Sequence, residues 1–191
     1  MSRFFYAFAL FVGLLILESP SGAWALSTPE PHATTAGGSH QLRALQGCLN
    51  QWVFNGVWRV RVTKVSPITS PFGALPGYSV ALDVRNGAKS DAMLMQTGAS
   101  APVLALADGN ILELSTEDGV AWTNKFFQNL PPSAGFTMTL PYYLSAKPAS
   151  LSKALKLIIE IDATKAWKGQ PHYQAGDPSL RIDVQCGANS N

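Results

Sequence analysis

The side chains that could carry out catalysis are few and poorly spaced. The chain has three histidines, and two of them, His32 and His40, lie in a stretch rich in proline, serine, threonine and glycine. The third is His172, and neither a G-x-S-x-G nor an H-E-x-x-H pattern occurs. The carboxylates on predicted strands face outward: Asp83, Glu113, Glu160, Asp162 and Asp183. A glycosidase pair among them would depend on separations that sequence cannot give, and we expect no enzymatic activity.

Metal binding is the second chemistry that the side chains suggest. Met93 and Met95 alternate along the chain, and thioether ligands suit Cu(I), so together with His172 they allow a copper carrier. The alternative is that methionines at alternate positions of a strand belong to the core. Acidic turns at residues 108–110 and 117–118 could hold Ca²⁺, but most such turns are only turns. We therefore expect no metal site and no cofactor, and we keep the copper carrier as a third hypothesis.

Sugar stacking by aromatic rings is the third chemistry. Several rings fall in or near predicted loops, where a carbohydrate-binding module places them. The alternative, which we favour, is that most of them close the open ends of a sandwich as ordinary core. The candidate partner or glycan contacts are Trp122, Phe126, Phe127, Trp167 and Tyr173. A carbohydrate-binding module is therefore the second functional hypothesis.

The two cysteines, Cys48 and Cys186, allow one intramolecular disulfide in an exported chain. Free buried thiols or an intermolecular bridge are the alternatives. In the chain-entropy model, closing so long a loop stabilises a fold by ~4–5 kcal/mol. Residues 45–48 resemble a lipoprotein acylation box, but they lie too far beyond the first apolar segment to be one. We expect a disulfide and no lipid anchor.

The first residues have the pattern of an export signal. Arg3 supplies a positive charge, residues 4–17 are apolar, and Ala23-Trp24-Ala25 is an A-x-A cleavage site. A retained membrane anchor is the alternative, but the apolar run is shorter than the ~20 residues that span a bilayer. We predict a signal peptide over residues 1–25, a flexible leader over residues 26–40, and a periplasmic or secreted protein without stable membrane insertion.

Composition limits the classes of partner. Charged residues make up 14% of the chain and the net charge is +2, without any block of like charge. This is not the electrostatic pattern of a nucleic-acid binder. The remaining chain is long enough for one domain, which we place at residues 41–187, followed by a tail at residues 188–191. The expected partner is another envelope or extracellular protein, or a glycan.

The clearest local pattern is the segment WVFNGVWRVRVTKV at residues 52–65. Asn55-Gly56 predicts a hairpin with a two-residue type I′ turn, because both positions of that turn need a positive φ. In this register Val53 faces Trp58, and Trp52 faces Arg59 on the outer side. Trp58 has the inward phase and is predicted to pack in the core.

Further strands follow with a period of two. They include residues 78–85, residues 136–140 ending at Pro141, residues 155–161 with Leu155 on the inward face, and residues 180–186 with Cys186 inward. An Asp-Gly-Asn turn at residues 108–110 predicts another hairpin. An antiparallel neighbour relation of the first and last segments would bring the two cysteines together. Roughly seven or eight short strands of this kind predict an all-β, antiparallel β-sandwich.

The order of these landmarks resembles the immunoglobulin-like extracytoplasmic domains of unknown function found in bacterial secreted proteins and lipoproteins. The resemblance covers residues 52–162 and rests on GVWRVRVTKV, YSVALDVRN, LALADGNILEL, LPPSAGFTMTLP and LKLIIEI. The cysteine pair and the late loop at residues 163–178 depart from that pattern. The resemblance implies an immunoglobulin-like sandwich with a binding or accessory role and no established active site. Our first functional hypothesis is therefore a non-catalytic interaction module.

Cleavage at the A-x-A site is directly testable. If the signal peptide ends at Ala25, N-terminal sequencing of exported protein should read LSTPE, which begins at Leu26. Purified exported protein that still begins at Met1 would contradict this prediction.

Overall fold

The computed structural model describes residues 44–71, 73–115 and 119–187. The predicted signal peptide at residues 1–25, the leader at residues 26–40 and the tail at residues 188–191 lie outside the described residues. His32, His40 and the acidic turn at residues 117–118 lie outside them as well.

Strands predominate among the described residues. Three helical segments interrupt them: one α-helix, α1 (Gly119–Phe126), and the two 3-10 helices Met95–Thr97 and Ala163–Lys165. The strands in chain order are β1 (Leu45–Cys48), β2 (Val53–Phe54), β3 (Trp58–Thr69), β4 (Pro76–Asn86), β5 (Val103–Leu106), β6 (Ile111–Leu112), β7 (Gly135–Tyr143), β8 (Ala154–Ile159) and β9 (Leu180–Asp183).

These strands form two sheets. One has the order β2-β3-β4-β7 and the other the order β1-β9-β8-β5-β6. All pairs are antiparallel except that of β1 with β9, which is parallel. Buried side chains from both sheets form one apolar cluster between them. The protein is therefore an all-β sandwich, which confirms the predicted fold class.

The hairpin between β2 and β3 has a register two residues away from the predicted one. Val53 pairs with Val60 and not with Trp58, so the predicted register is wrong. The Oδ1 atom of Asn55 accepts hydrogen bonds from the backbone N–H groups of Val57 at 3.0 Å and Trp58 at 2.7 Å. A side chain therefore closes this turn. Because side chains alternate with a period of two, a shift of two residues leaves every predicted face unchanged.

Strand β7 extends beyond its predicted end. It continues through Pro141 to Tyr143, so the prediction that Pro141 terminates the strand is wrong. β7 lies at the edge of its sheet, where proline is tolerated because not every N–H has to join a ladder. The buried ring of Tyr142, beyond the proline, donates its O–H to the carbonyl of Pro102 at 3.1 Å.

In strand β8, one side chain faces the opposite way from the predicted one. Leu155 was expected inside, but it is 36% exposed, while Ala154 is buried. The pairing of β5 with β8 shifts by one residue between Ala105 and Leu106, so Leu155 has no direct partner there. From Leu157 onward, the side chains that were predicted to face inward are buried.

Two segments without a clear strand period are helical. The aromatic-rich residues 120–130 contain most of α1, whose only buried residue is Trp122. Met95 begins a 3-10 helix in which the N–H of Thr97 donates to the carbonyl of Met93 at 3.2 Å. The interpretation of Met93 and Met95 as alternating strand residues is therefore wrong.

The predicted disulfide between Cys48 and Cys186 is confirmed, with a Cα–Cα distance of 5.1 Å. The predicted antiparallel relation is wrong, because β1 and β9 are parallel and Cys48 pairs with Asp183. Cys186 lies beyond β9, in a turn where its N–H donates to Oδ1 of Asp183 at 3.1 Å, so its predicted inward strand position is also wrong. Such a bridge indicates a chain that folds in an oxidising compartment.

Trp58 belongs to the apolar cluster between the sheets and is 1% exposed. Its indole N–H donates to Oγ1 of Thr97 at 2.9 Å, and that hydroxyl in turn donates to the carbonyl of Leu94 at 2.9 Å. Ile159 and Ile161 line the same small apolar cavity as the indole. The ring therefore packs on the aliphatic face of β8 while its one polar group has a partner.

Trp58→Ala should lower the free energy of unfolding by about 3–5 kcal/mol, because it leaves a cavity and removes the hydrogen bond to Thr97. The matched control is Arg59→Ala on the outer side, which should cost less than about 1 kcal/mol. Urea unfolding of the two variants measures both values. Equal losses would contradict the assignment of the two faces.

Candidate functional site

The outer side of the β2-β3-β4-β7 sheet carries a cluster of arginines and aromatic rings. β3 and β4 pair so that Arg59 lies opposite Arg85 and Arg61 lies opposite Asp83. Alternation points the residues between them into the core, so these four side chains are neighbours on the outer surface. We call this surface the arginine face, and it consists of Trp52, Phe54, Arg59, Arg61, Asp83 and Arg85.

Asp83 is the carboxylate of the arginine face and is 8% exposed. Its Oδ2 accepts hydrogen bonds from Nη2 of Arg61 at 2.5 Å and from Nε of Arg61 at 3.1 Å. Its Oδ1 accepts one from Oγ1 of Thr137 at 2.6 Å. Partial burial by itself would raise the pKa of Asp83, but the bonds from Thr137 and Arg61 outweigh burial and hold that pKa below its ordinary value of 3.8. Asp83 therefore remains ionised at neutral pH and compensates the charge of Arg61.

Two aromatic rings hold the guanidinium groups in place. The Cζ atom of Arg61 lies 4.6 Å from the centre of the Trp52 ring, and that of Arg85 lies 5.5 Å from the same ring. The Cζ atom of Arg59 lies 5.0 Å from the ring of Phe54. Contacts of this kind are worth about 0.5–1 kcal/mol at exposed sites. They restrict the positions of the three cations without neutralising them.

The arginine face has an excess of positive charge. Three guanidinium groups and one carboxylate give 3 − 1 = +2 on this surface. Arg59 and Arg85 are both exposed and directly opposite each other, an arrangement that is destabilising for like charges. Within the described residues, neither has a carboxylate at salt-bridge distance. The surface therefore has the charge to bind an anionic ligand.

A shallow depression with a volume of about 320 Å³ adjoins the arginine face beside Arg85. It is lined by Asp83, Arg85, Ser133, Gly135, Phe136 and Thr137. A Cβ at Gly135 would come within 2.3 Å of the backbone oxygen of Val84 and within 2.6 Å of Cγ of Arg85, so glycine is needed for the close approach of β7 to β4 here. Gly87 leaves room for Phe54, since a Cβ there would come within 2.6 Å of that ring.

Sequence reasoning found part of this surface. The alternation of β3 placed Arg59 and Trp52 on the outer side, but the register error paired them with each other. In the structure Trp52 meets Arg61 instead. The contact of Arg85 with the ring of Trp52 was not predicted, because it depends on how β3 and β4 pair.

The loop aromatics do not form a common site. Trp122 is 3% exposed, and Phe126 is half-buried with its ring 5.6 Å from that of Phe127. Tyr173 is half-buried, donates its O–H to the carbonyl of Thr97 at 2.7 Å, and has its pKa raised to about 12 by burial. Phe127 and Trp167 are 52% and 54% exposed. Only these two of the five candidates present most of a ring to solvent.

Three further carboxylates considered for catalysis have structural contacts. Glu160 lies 3.6 Å from Arg181, Asp162 caps the second 3-10 helix, and Asp183 holds the turn that carries Cys186. Among the described residues, no three histidine, cysteine, aspartate or glutamate side chains are grouped as metal ligands would be. No helix in the described ranges is long and apolar enough to cross a membrane.

The fold and this surface define a β-sandwich with a cationic, aromatic outer face. No family model matches the chain, and no curated protein matches it in sequence. One similar solved structure is the yjhA protein from Bacillus subtilis, with 11% identity and a TM-score of 0.41 over 72% of this chain and 98% of that chain. Another is an uncharacterized beta-sandwich protein from Clostridium difficile 630, with 9% identity and a TM-score of 0.42 over 78% of this chain and 99% of that chain. Likenesses of this size decide neither family nor function.

The lowered pKa of Asp83 predicts a particular acid sensitivity. A carboxylate with a lowered folded-state pKa stabilises the fold above its unfolded-state pKa, and this stabilisation is lost as the pH falls through the folded-state value. The stability difference between wild type and Asp83→Asn should therefore be largest near neutral pH and shrink from about pH 5 to about pH 2. Urea unfolding across this range measures it.

Thr137→Val is the matched second variant, because it removes one hydrogen bond to Asp83 and leaves Arg61 in place. It should retain part of the acid sensitivity. If wild type and Asp83→Asn lost stability in parallel over the whole range, Asp83 would make no net contribution.

Proposed function

We propose that this protein is an exported, non-catalytic interaction module that binds an acidic surface of another envelope or extracellular protein through the arginine face. The observation that carries this proposal is the pair Arg59 and Arg85, two exposed like charges opposite each other on adjacent strands. Such a pair costs stability in the free protein, and a bound anion relieves that cost.

The aromatic contacts support a protein partner. Arginine and tryptophan are enriched among the residues that contribute most to protein interfaces. Guanidinium groups that already lie on Trp52 and Phe54 lose less conformational freedom on binding than free side chains do. The planar guanidinium group suits a carboxylate, which can accept two parallel hydrogen bonds from one arginine.

The compartment is proposed on two grounds. The Cys48–Cys186 bridge suits an oxidising environment, and residues 1–25 have the charge, apolar run and cleavage site of a signal peptide. Together with the sequence resemblance, these features favour an immunoglobulin-like domain that acts in the periplasm or after secretion. The non-catalytic part of the proposal rests on the absence of catalytic motifs from the sequence.

Carbohydrate binding is a second candidate function, favoured by the exposed indole of Trp167. The copper carrier remains a sequence-based hypothesis, since Met95 lies in a 3-10 helix and His172 in the loop before β9.

The arginine face can be tested with a fluorescent oligoglutamate peptide as the acidic probe and an oligoglutamine peptide as the neutral one. The oligoglutamate peptide should bind with an affinity that falls as salt rises, because exposed charges are screened. The double variant Arg59→Ala, Arg85→Ala should weaken binding by about tenfold or more. Fluorescence anisotropy measures both effects.

The matched control is Lys147→Ala, Lys153→Ala, which removes the same charge from exposed positions in the loop after β7. This variant should bind the probe nearly as well as wild type. Equal weakening by both double variants would show attraction by net charge alone and would contradict a site on the arginine face.

A further inference from the structure

The loop between β8 and β9 is the longest irregular connection in the part of the chain that the structure describes without a gap. It spans residues 160–179 and contains only one short 3-10 helix. Connections longer than about 12–15 residues without regular structure are uncommon in compact domains and are usually functional or disordered. The contacts of this loop distinguish these two cases.

Hydrogen bonds fasten the loop to the sandwich along its whole length. The N–H of Asp162 donates to the carbonyl of Gly98 at 3.0 Å, and the N–H of Trp167 donates to the carbonyl of Gln96 at 2.8 Å. The O–H of Tyr173 donates to the carbonyl of Thr97 at 2.7 Å. The carbonyls of Gln96 and Thr97 lie on the 3-10 helix Met95–Thr97, and Gly98 follows it directly. This helix is itself joined to the core through Thr97 and Trp58. The loop is therefore a fixed part of the fold.

One large apolar side chain of this fixed loop points to solvent. Trp167 is 54% exposed although its backbone is held on both sides. Its N–H donates to the carbonyl of Gln96, and its carbonyl accepts a hydrogen bond from the N–H of Gln170 at 3.2 Å. Exposing an indole costs hydrophobic free energy, and an indole on a rigid backbone gives a preorganised stacking surface. Phe127, the other exposed candidate, instead packs edge-on with Phe126.

Two glutamines join the loop to the 3-10 helix through their side chains. The Nε2 of Gln170 donates to Oε1 of Gln96 at 3.0 Å, and the Oε1 of Gln170 is buried. Lys165 and Lys168 are both exposed, but Lys165 lies 3.4 Å from Asp162, whereas Lys168 has no carboxylate at salt-bridge distance among the described residues. An exposed apolar ring on a fixed backbone matches the C–H face of a pyranose.

We propose that Trp167 is the stacking residue of a saccharide site, in which the exposed indole covers the C–H face of one pyranose ring. This site is independent of the arginine face and uses none of its residues. It deepens the carbohydrate hypothesis by assigning binding to one ring and by excluding Trp122, which is buried, and Tyr173, whose hydroxyl is already bonded.

Affinity electrophoresis of the purified protein tests this site. The gels contain hydroxyethylcellulose, galactomannan or starch as neutral polymers, or polygalacturonate as an acidic one. At least one polymer should retard wild type, Trp167→Ala should bind it about tenfold more weakly, and Trp167→Tyr should retain most of the retardation because it keeps a stacking ring. Retardation by polygalacturonate that is lost in Lys168→Ala would assign an acidic sugar to the same site.

Two controls make the result decisive. Phe127→Ala removes an equally exposed ring that is not part of the loop, and Arg59→Ala, Arg85→Ala removes two cations of the arginine face. Both should be retarded as wild type is in any neutral polymer. The proposal is overturned if no polymer retards wild type, if Trp167→Ala with unchanged thermal stability is retarded like wild type, or if Phe127→Ala alone abolishes retardation.

Discussion

The buried side chain of Asn55 connects the start of β3 to the segment that leads into β9. Its Oδ1 accepts hydrogen bonds from the N–H groups of Val57 and Trp58, and its Nδ2 donates to the carbonyl of Pro178 at 2.9 Å. A buried amide without partners costs about 1–3 kcal/mol, so the chain has little freedom to place this residue elsewhere. Asn55 thereby sets where β3 begins, and the position of Trp58 between the sheets follows from it.

The register of β3 determines the core and the arginine face together. Trp58, Val60 and Val62 are buried on one side of the strand, and Arg59 and Arg61 lie on the other. A shift of one residue would bury the arginines and expose the tryptophan, at a cost of several kcal/mol. A single strand therefore supplies both stability and a charged surface, and substitutions on its two sides have different consequences.

Local patterns predicted the faces of most strands, but not the features that depend on distant partners. The hairpin register differed because the side chain of Asn55 bonds to Pro178, 123 residues further along the chain. The parallel pairing of β1 with β9 and the turn at Cys186 are likewise set by contacts between the two ends of the domain. Aromatic composition identified Trp122 and Trp167 as equivalent candidates, whereas packing buries the first and exposes the second.

The two proposed surfaces depend on different forces but on a common anchor. Binding at the arginine face would be electrostatic and sensitive to salt. Stacking on Trp167 would depend on apolar contact and would be insensitive to salt. Asn55 nevertheless contacts the structures that carry both, since its carbonyl accepts from the N–H of Gln174 at 3.3 Å in the loop that contains Trp167. The loop and β3 are thus fastened at one residue. This explains how a long irregular connection can hold an exposed indole without strands of its own: its backbone bonds to groups whose positions the core has already determined.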